Sequence, residues 1–414
     1  MPTRRAELAL LLLRRIARHA AHALCCLALW LPVGATLAQV APPPRVGLVT
    51  MAPGSEYWAR FGHNAILIDD GVDPLLYNYG YFDFEQRDFL LRFLRGRMAY
   101  RLLAIPLQDD LRGYAADGRR VTVQWLDLAP AQTRALDAFL RDNAREENAE
   151  YRYDYFTANC STKVRDALDL ALDGALKRDL SGRSHGYTYR DEALRLAAPV
   201  PWLGLGIHLG LGPFVDRRMS LWDESYVPER LHDAVGEMRT GSGARLVQSE
   251  QELLPAQRPA APDAPPAWRA AFILAGLAAA GLAAWGVRPE PTRRWRGLVA
   301  AGVGAFWLVC GLTGVGLLAL WAGTDHVAAW GNENALLFNP LCLALLPTAW
   351  RMARGQSPGR GAVRLAFGIA TCAAIALFLK FLPFRIQSNG DWIALLLPLH
   401  AVLAWHLGRR IRRV

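Results

Sequence analysis

Asn159-Cys160-Ser161-Thr162-Lys163-Val164-Arg165-Asp166-Ala167-Leu168-Asp169-Leu170-Ala171 reads as an amphipathic helix with its cap in place. Asparagine is a favoured N-cap, so Cys160 falls on the first helical position, where the partial positive charge of the helix start favours thiolate over thiol. Cys160 also shares a face with Val164, Ala167, Leu168 and Ala171, so it is equally the top of a core stripe. Either way a helix is expected over Ser161–Leu172, packed against a larger body.

That body is read from the flanking pattern. Arg45–Met51, Ala65–Ile68, Ala99–Ile105 and Val121–Leu128 carry the short apolar runs of strands, with a weaker one at Leu76–Tyr79. Apolar spacing of three and four predicts further helices over Phe84–Arg97, Ala131–Arg145 and Tyr189–Ala197. The mixture is an α+β domain. Trp202–Phe214 interleaves apolar residues with four glycines and is expected to be irregular, buried or against a membrane.

The C-terminal third is of another kind. Trp268–Val287, Gly297–Trp321, Leu336–Trp350, Val363–Phe384 and Trp392–Leu407 approach the ~20 apolar residues that a membrane-crossing helix requires. Arginines fill alternate connections (Arg288, Arg293, Arg294 and Arg296; Arg351, Arg354 and Arg360; Arg409, Arg410, Arg412 and Arg413), while Ala322–Ala335 and Arg385–Asp391 are nearly free of them. The positive-inside rule then puts the C-terminus in the cytoplasm and residues 41–262 outside, in the periplasm if the membrane is a bacterial inner membrane. The polar residues Asp325, His326, Asn332, Glu333 and Asn334 crowd a short outer connection, expected to be solvated or to border the site.

At the other end, Arg4, Arg5, Arg14, Arg15 and Arg18 precede an apolar run that reaches small residues before Gln39, the pattern of a signal peptide or signal anchor over residues 1–39. The expected organisation is this segment, a folded domain over 40–253, a Pro/Ala-rich linker over 254–267 and an all-α five-helix membrane domain over 268–414. The formal charge of +10 divides into +4 for residues 1–40, −4 for 41–262 and +10 for 263–414. The exported domain is thus mildly acidic, and nucleic-acid binding has no electrostatic footing there.

Cys160 is the single cysteine of residues 41–262, so it has no disulfide partner within its own domain. Catalysis gives an exported thiol a reason to exist. His63, in Phe61-Gly62-His63-Asn64, starts an apolar strand and is the histidine best placed to serve as its base. His185, His208 and His232 read as surface or core residues. CxxC, HExxH and GxSxG patterns are absent, and neither a metal nor a cofactor is expected.

These residues belong to an ordered series: Phe61-Gly62-His63-Asn64, Tyr77-Asn78-Tyr79-Gly80 with Phe82-Asp83-Phe84, Tyr100, Tyr114, Gly118-Arg119-Arg120, Glu147-Asn148, Tyr151-Arg152-Tyr153-Asp154-Tyr155-Phe156, and Asn159-Cys160-Ser161-Thr162 with Arg165-Asp166. The series resembles the exported domain of the Lnb-type lipoprotein transacylases, formerly a domain of unknown function, and five membrane helices after it fit the same family. The resemblance implies a permuted papain-like Cys/His fold in which Cys160 is the nucleophile and His63 the base. It implies transfer of a fatty acyl chain from the glyceryl group of a membrane lipid or lipoprotein to an amine. Asn78, Asn64 or Asp154 would orient the imidazole, and the backbone near Cys160 and Ser161 would bind an oxyanion. Tyr77, Tyr155 and Arg120 are the expected substrate contacts, Arg120 being equally able to pair with an acid. A cell-wall cysteine peptidase or amidase and a noncatalytic membrane scaffold are the competing readings.

Overall fold

The computed structural model describes residues 43–82, 85, 87–286 and 292–411, together with Ala9, Arg14, Arg15, Ile16 and His19. Those five are helical. The rest of the expected export segment, including Cys25 and Cys26, lies outside the described residues, as do Asp83 and Phe84.

The exported domain is built on β1 (Arg45–Met51), β2 (His63–Asp69), β3 (Leu75–Tyr81), α1 (Phe89–Arg95), β4 (Ala99–Pro106), α2 (Leu107–Ala116), β5 (Val121–Leu126), α3 (Pro130–Asn143), β6 (Glu150–Arg152) and α4 (Cys160–Ala171). Next come α5 (Ala175–Leu180), α6 (Tyr189–Ala197), α7 (Pro201–Gly210), α8 (Leu221–Glu224), α9 (Pro228–Glu237) and β7 (Val247–Leu254). The seven strands form one antiparallel sheet in the order β6-β4-β3-β2-β1-β5-β7. Side-chain alternation gives each strand one residue set per face. Val46, Leu48, Ile66, Ile68, Tyr77 and Tyr79 meet Leu136 and Leu140 of α3 and Val164 and Leu168 of α4 on one face. Val49, Met51, Ala65, Leu67 and Leu76 meet Leu107, Leu111 and Tyr114 of α2 on the other. Because both faces are covered, β2 reads as an unbroken apolar run.

Among the described residues, five segments are long and apolar enough to cross a membrane: Arg269–Gly286, Arg293–Gly323, Glu333–Ala353, Arg360–Phe381 and Gly390–Arg410. The third begins as 3-10 turns and becomes an α-helix at Leu346–Ala353. This is an α+β domain with an antiparallel sheet, followed by a helical membrane region.

Several expectations are corrected. α1 spans Phe89–Arg95, shorter than the Phe84–Arg97 expected, because Asp88 before it and Gly96 after it both sit in the left-handed region, at φ 59° and 70°. Trp202–Phe214 is largely helical, since Pro201 supplies a helix start that its glycines do not break. Asn332, Glu333 and Asn334 are buried rather than solvated. They lie in a polar seam with the exported domain: Asn332 and Asn334 each donate an Nδ2–H to the Leu209 carbonyl at 2.8 and 3.0 Å, and Gln387 donates to Asn332 Oδ1 at 2.8 Å. Glu333 pairs with Lys380 and Arg385. On the domain side Arg190 reaches the Asp216 carboxylate and the carbonyls of His208, Leu211 and Gly212. Gly212 is required here, as a Cβ on it would lie 2.2 Å from the Trp330 carbonyl. The Leu254–Trp268 stretch follows the domain surface, with the Gln257 N–H donating to Gly118 O at 3.1 Å and Arg195 donating to Pro262 O at 2.9 Å.

Candidate active site

Cys160 opens α4. The Asn159 side chain accepts the Thr162 N–H at 2.9 Å, Thr162 Oγ1 accepts the Asn159 N–H at 2.8 Å, and Asn159 Nδ2 donates to the Tyr155 and Tyr226 carbonyls. With its cap thus locked, the helix start approaches β3 at Gly80. A Cβ at Gly80 would sit 3.4 Å from Cys160 Cβ, and its φ of 99° also favours glycine.

Burial pushes the half-buried Cys160 thiol up, whereas the backbone N–H groups of Asn64, Ser161 and Cys160 itself favour the thiolate, and the Arg119 guanidinium adds a longer-range pull. Asn64 directly follows His63. Its side chain is fixed separately, with Oδ1 accepting from Ser161 Oγ at 2.8 Å and Nδ2 donating to Thr50 Oγ1 at 2.8 Å. Ser161 Oγ also lies 2.6 Å from the Ser225 carbonyl. These bonds tie the start of α4 to the start of β2.

Alternation places His63 and Asn78 on the α2 face of the sheet, where they meet: His63 Nε2 lies 2.9 Å from Asn78 Oδ1. Asn78 Nδ2 faces two acceptors, Asp110 Oδ2 at 3.2 Å and Leu76 O at 3.4 Å. The amide oxygen is therefore the atom turned to histidine, so Nε2 carries the proton and Nδ1 is the basic nitrogen. Burial brings His63 down to about 4, opposed by its bond to Asn78 and assisted by Arg119. Burial also lifts the Asp110 carboxyl above its ordinary value, while Asn78 and Arg119 pull it back. At rest His63 is a neutral imidazole at neutral pH, and its chain neighbour Asn64 turns a backbone N–H to the Cys160 sulfur.

Two buried donors nearby have no hydrogen-bond partner among the described residues: Arg119 Nη2 and Tyr151 Oη. Arg119 Nε donates to Ala52 O at 2.6 Å, next to Met51, which pairs with His63 across the sheet. Tyr151 Oη would lie 3.8 Å from a Cβ on Gly80, the same spot that Cys160 approaches. Arg119, Asp110 and Tyr151 are the residues that the sequence reading left without a role. Arg119 and Tyr151 stood in quoted motifs, and Asp110 lies in the first turn of an unrecognised helix.

The other expected site residues are dispersed. Asn64 and Ser161 brace the junction as described. Asp154 accepts the Phe156 N–H at 3.0 Å and the Thr157 N–H and hydroxyl at 2.8 Å, closing its own turn rather than reaching the histidine. Tyr77 is buried on the opposite face in the α3/α4 core. Arg120 is exposed, and its neighbour Arg119 is the arginine that turns inward. Tyr155 is at the domain margin, its ring stacked on His326 at 6.1 Å.

Comparison with known families agrees with this architecture. Residues 37–192 match the Lnb N-terminal periplasmic domain and residues 272–411 match the Lnb transmembrane domain. The chain belongs to the Lnb family and is a membrane protein with an N-terminal periplasmic domain. No curated protein and no solved structure matches it.

Proposed function

We propose that this protein is a Cys/His-dependent acyltransferase of a bacterial inner membrane, with its C-terminus in the cytoplasm and a permuted papain-like catalytic domain in the periplasm. In this reading it moves a fatty acyl chain from a glyceryl ester of a membrane lipid or lipoprotein to an amine. The observation that carries it is the hydrogen-bonded row Asp110–Asn78–His63 together with a helix-start cysteine whose sulfur faces three backbone N–H groups, one of them from Asn64, the residue after His63.

Each residue then has a task. His63 Nδ1 takes the Cys160 proton as the sulfur attacks the ester carbonyl. Backbone N–H groups at the α4 start, with Arg119 Nη2 and Tyr151 Oη, stabilise the tetrahedral oxyanion. The carbonyl re-forms, the C–O bond breaks, and His63 returns the proton to the departing alcohol, leaving an acyl thioester. An incoming amine attacks that thioester and gives a proton to His63, which passes it to the departing sulfur. Asn78 keeps the imidazole in the productive tautomer throughout, held by Asp110.

Intact mass spectrometry of the full-length protein after incubation with diacylated lipoprotein or phospholipid tests this. Wild type should gain one acyl mass or transfer it to the acceptor, and Cys160→Ala should do neither. A folded wild-type protein that forms no adduct and no product would instead favour peptide hydrolysis or a noncatalytic role.

A further inference from the structure

α1 is short, apolar and incompletely covered. Leu90, Leu91, Phe93 and Leu94 are 66, 46, 41 and 55% exposed, an unusual cost for consecutive apolar residues in water. Arg87, Arg92, Arg95 and Arg97 are interspersed or adjacent. Large apolar side chains among arginines suit the headgroup boundary of a bilayer, which accepts the former and binds the latter through phosphate.

The position of α1 supports that reading. Its end is fastened to the connection between the second and third spans: the Asp325 N–H donates to Arg95 O at 2.8 Å, His326 Nε2 lies 3.0 Å from Phe93 O, and Arg97 and Arg152 both pair with Asp325. Gly96 permits the approach, since a Cβ there would be 3.0 Å from the His326 nitrogen. Exposed Trp321 and Trp330 bracket this dock in sequence, and tryptophan concentrates at the membrane–water boundary. α1 is thereby held beside the end of the second candidate span, Arg293–Gly323.

A row of rings leads inward from the dock. Tyr155 stacks on His326, Tyr153 meets Tyr155 edge-on at 5.7 Å, and Tyr100 stacks on Tyr153 at 4.0 Å. Tyr100 pairs across the sheet with Tyr151, whose hydroxyl reaches the same spot at Gly80 that Cys160 approaches.

We propose that α1 lies in the plane of the periplasmic leaflet with its leucines among phospholipid chains, and that the row Tyr155–Tyr153–Tyr100 guides the ester of a bilayer lipid from there to Cys160. The second clause rests on the acyltransferase reading; the first does not.

The test uses full-length protein in phospholipid nanodiscs with a photoreactive benzophenone side chain at Phe93, and at Val72, an exposed loop position, as control. Irradiation should give a phospholipid-mass adduct on the peptide containing residue 93 and none on that containing residue 72. An adduct to a second copy of the chain or to another polypeptide, or no adduct at residue 93, overturns the membrane placement. The Leu91→Asp/Leu94→Asp variant should lose the lipid adduct and form acyl thioester from bilayer donors about 10-fold more slowly, since charges at these positions oppose insertion. It should keep its rate with a short-chain water-soluble ester, and an equal loss on both substrates overturns the delivery role. Wild type inactive on every ester but still cross-linked to lipid would sink the catalytic reading and the delivery clause alone.

Discussion

Two buried arginines divide the molecule between them. Arg190, in the seam with the membrane region, is 2% exposed and places Nε, Nη1 and Nη2 on one carboxylate and three carbonyls. Arg119, beside the Cys/His site, is 7% exposed, donates from Nε to one carbonyl and leaves Nη2 without a partner. Burying a donor without a partner costs about 1–3 kcal/mol, so a site that does so holds capacity in reserve for something that arrives. The saturated arginine fixes geometry, and in the proposed mechanism the unsaturated one is available to a substrate oxyanion.

The contrast can be broken from either side. The largest effect is expected at the seam: Arg190→Ala leaves the Asp216 carboxylate buried and unpaired and should cost about 3–5 kcal/mol, measured by thermal or denaturant unfolding in a fixed detergent. At the site, Asn78→Ala should slow thioester formation about 10²-fold, the lower end of what a positioned general base contributes, with much less loss of stability. Asp110→Asn should give a smaller loss in the same direction, because it loosens Asn78 without touching the imidazole.

Acidity sharpens the comparison further. His63 must be neutral to act as base, so the acid limb of the rate profile should fall near pH 4 and not near 6.5. Arg119→Met removes a cation that disfavours imidazolium, so the acid limb should move to higher pH as the maximal rate falls; a limb that stays in place separates Arg119 from the histidine. His63 takes up protons less readily folded than unfolded, so its contribution to stability should decline as pH falls from 6.5 through about 4. Asp154→Asn is the smallest case, with turnover within about twofold of wild type and a stability loss near 1 kcal/mol, since its carboxylate serves a local turn.

Much of this was written in local sequence. The N-cap at Asn159, the first-position cysteine, the bounds of β1 and α6 and the five apolar segments all follow from periods and caps that neighbouring residues determine. β7 did not, because Val247–Leu254 is an edge strand whose polar residues face solvent and show no apolar alternation. Nor did the choice among Asn78, Asn64 and Asp154, because register and face decide which amide meets the imidazole. Arg119 and Arg120 are neighbours of identical chemistry, and the fold alone turns one inward. The polar connection at 332–334 looked wet because its partners, the carbonyl of Leu209 and the side chain of Gln387, lie more than 50 residues away.

Gly212, pressed against the Trp330 carbonyl, means that the periplasmic domain has no lever arm. On the acyltransferase reading, an enzyme clamped at that seam reaches what drifts past in two dimensions and does not search the periplasm for its partners. Its turnover should accordingly scale with the mole fraction of substrate in the membrane, and diluting that membrane with inert lipid at constant bulk concentration should slow it.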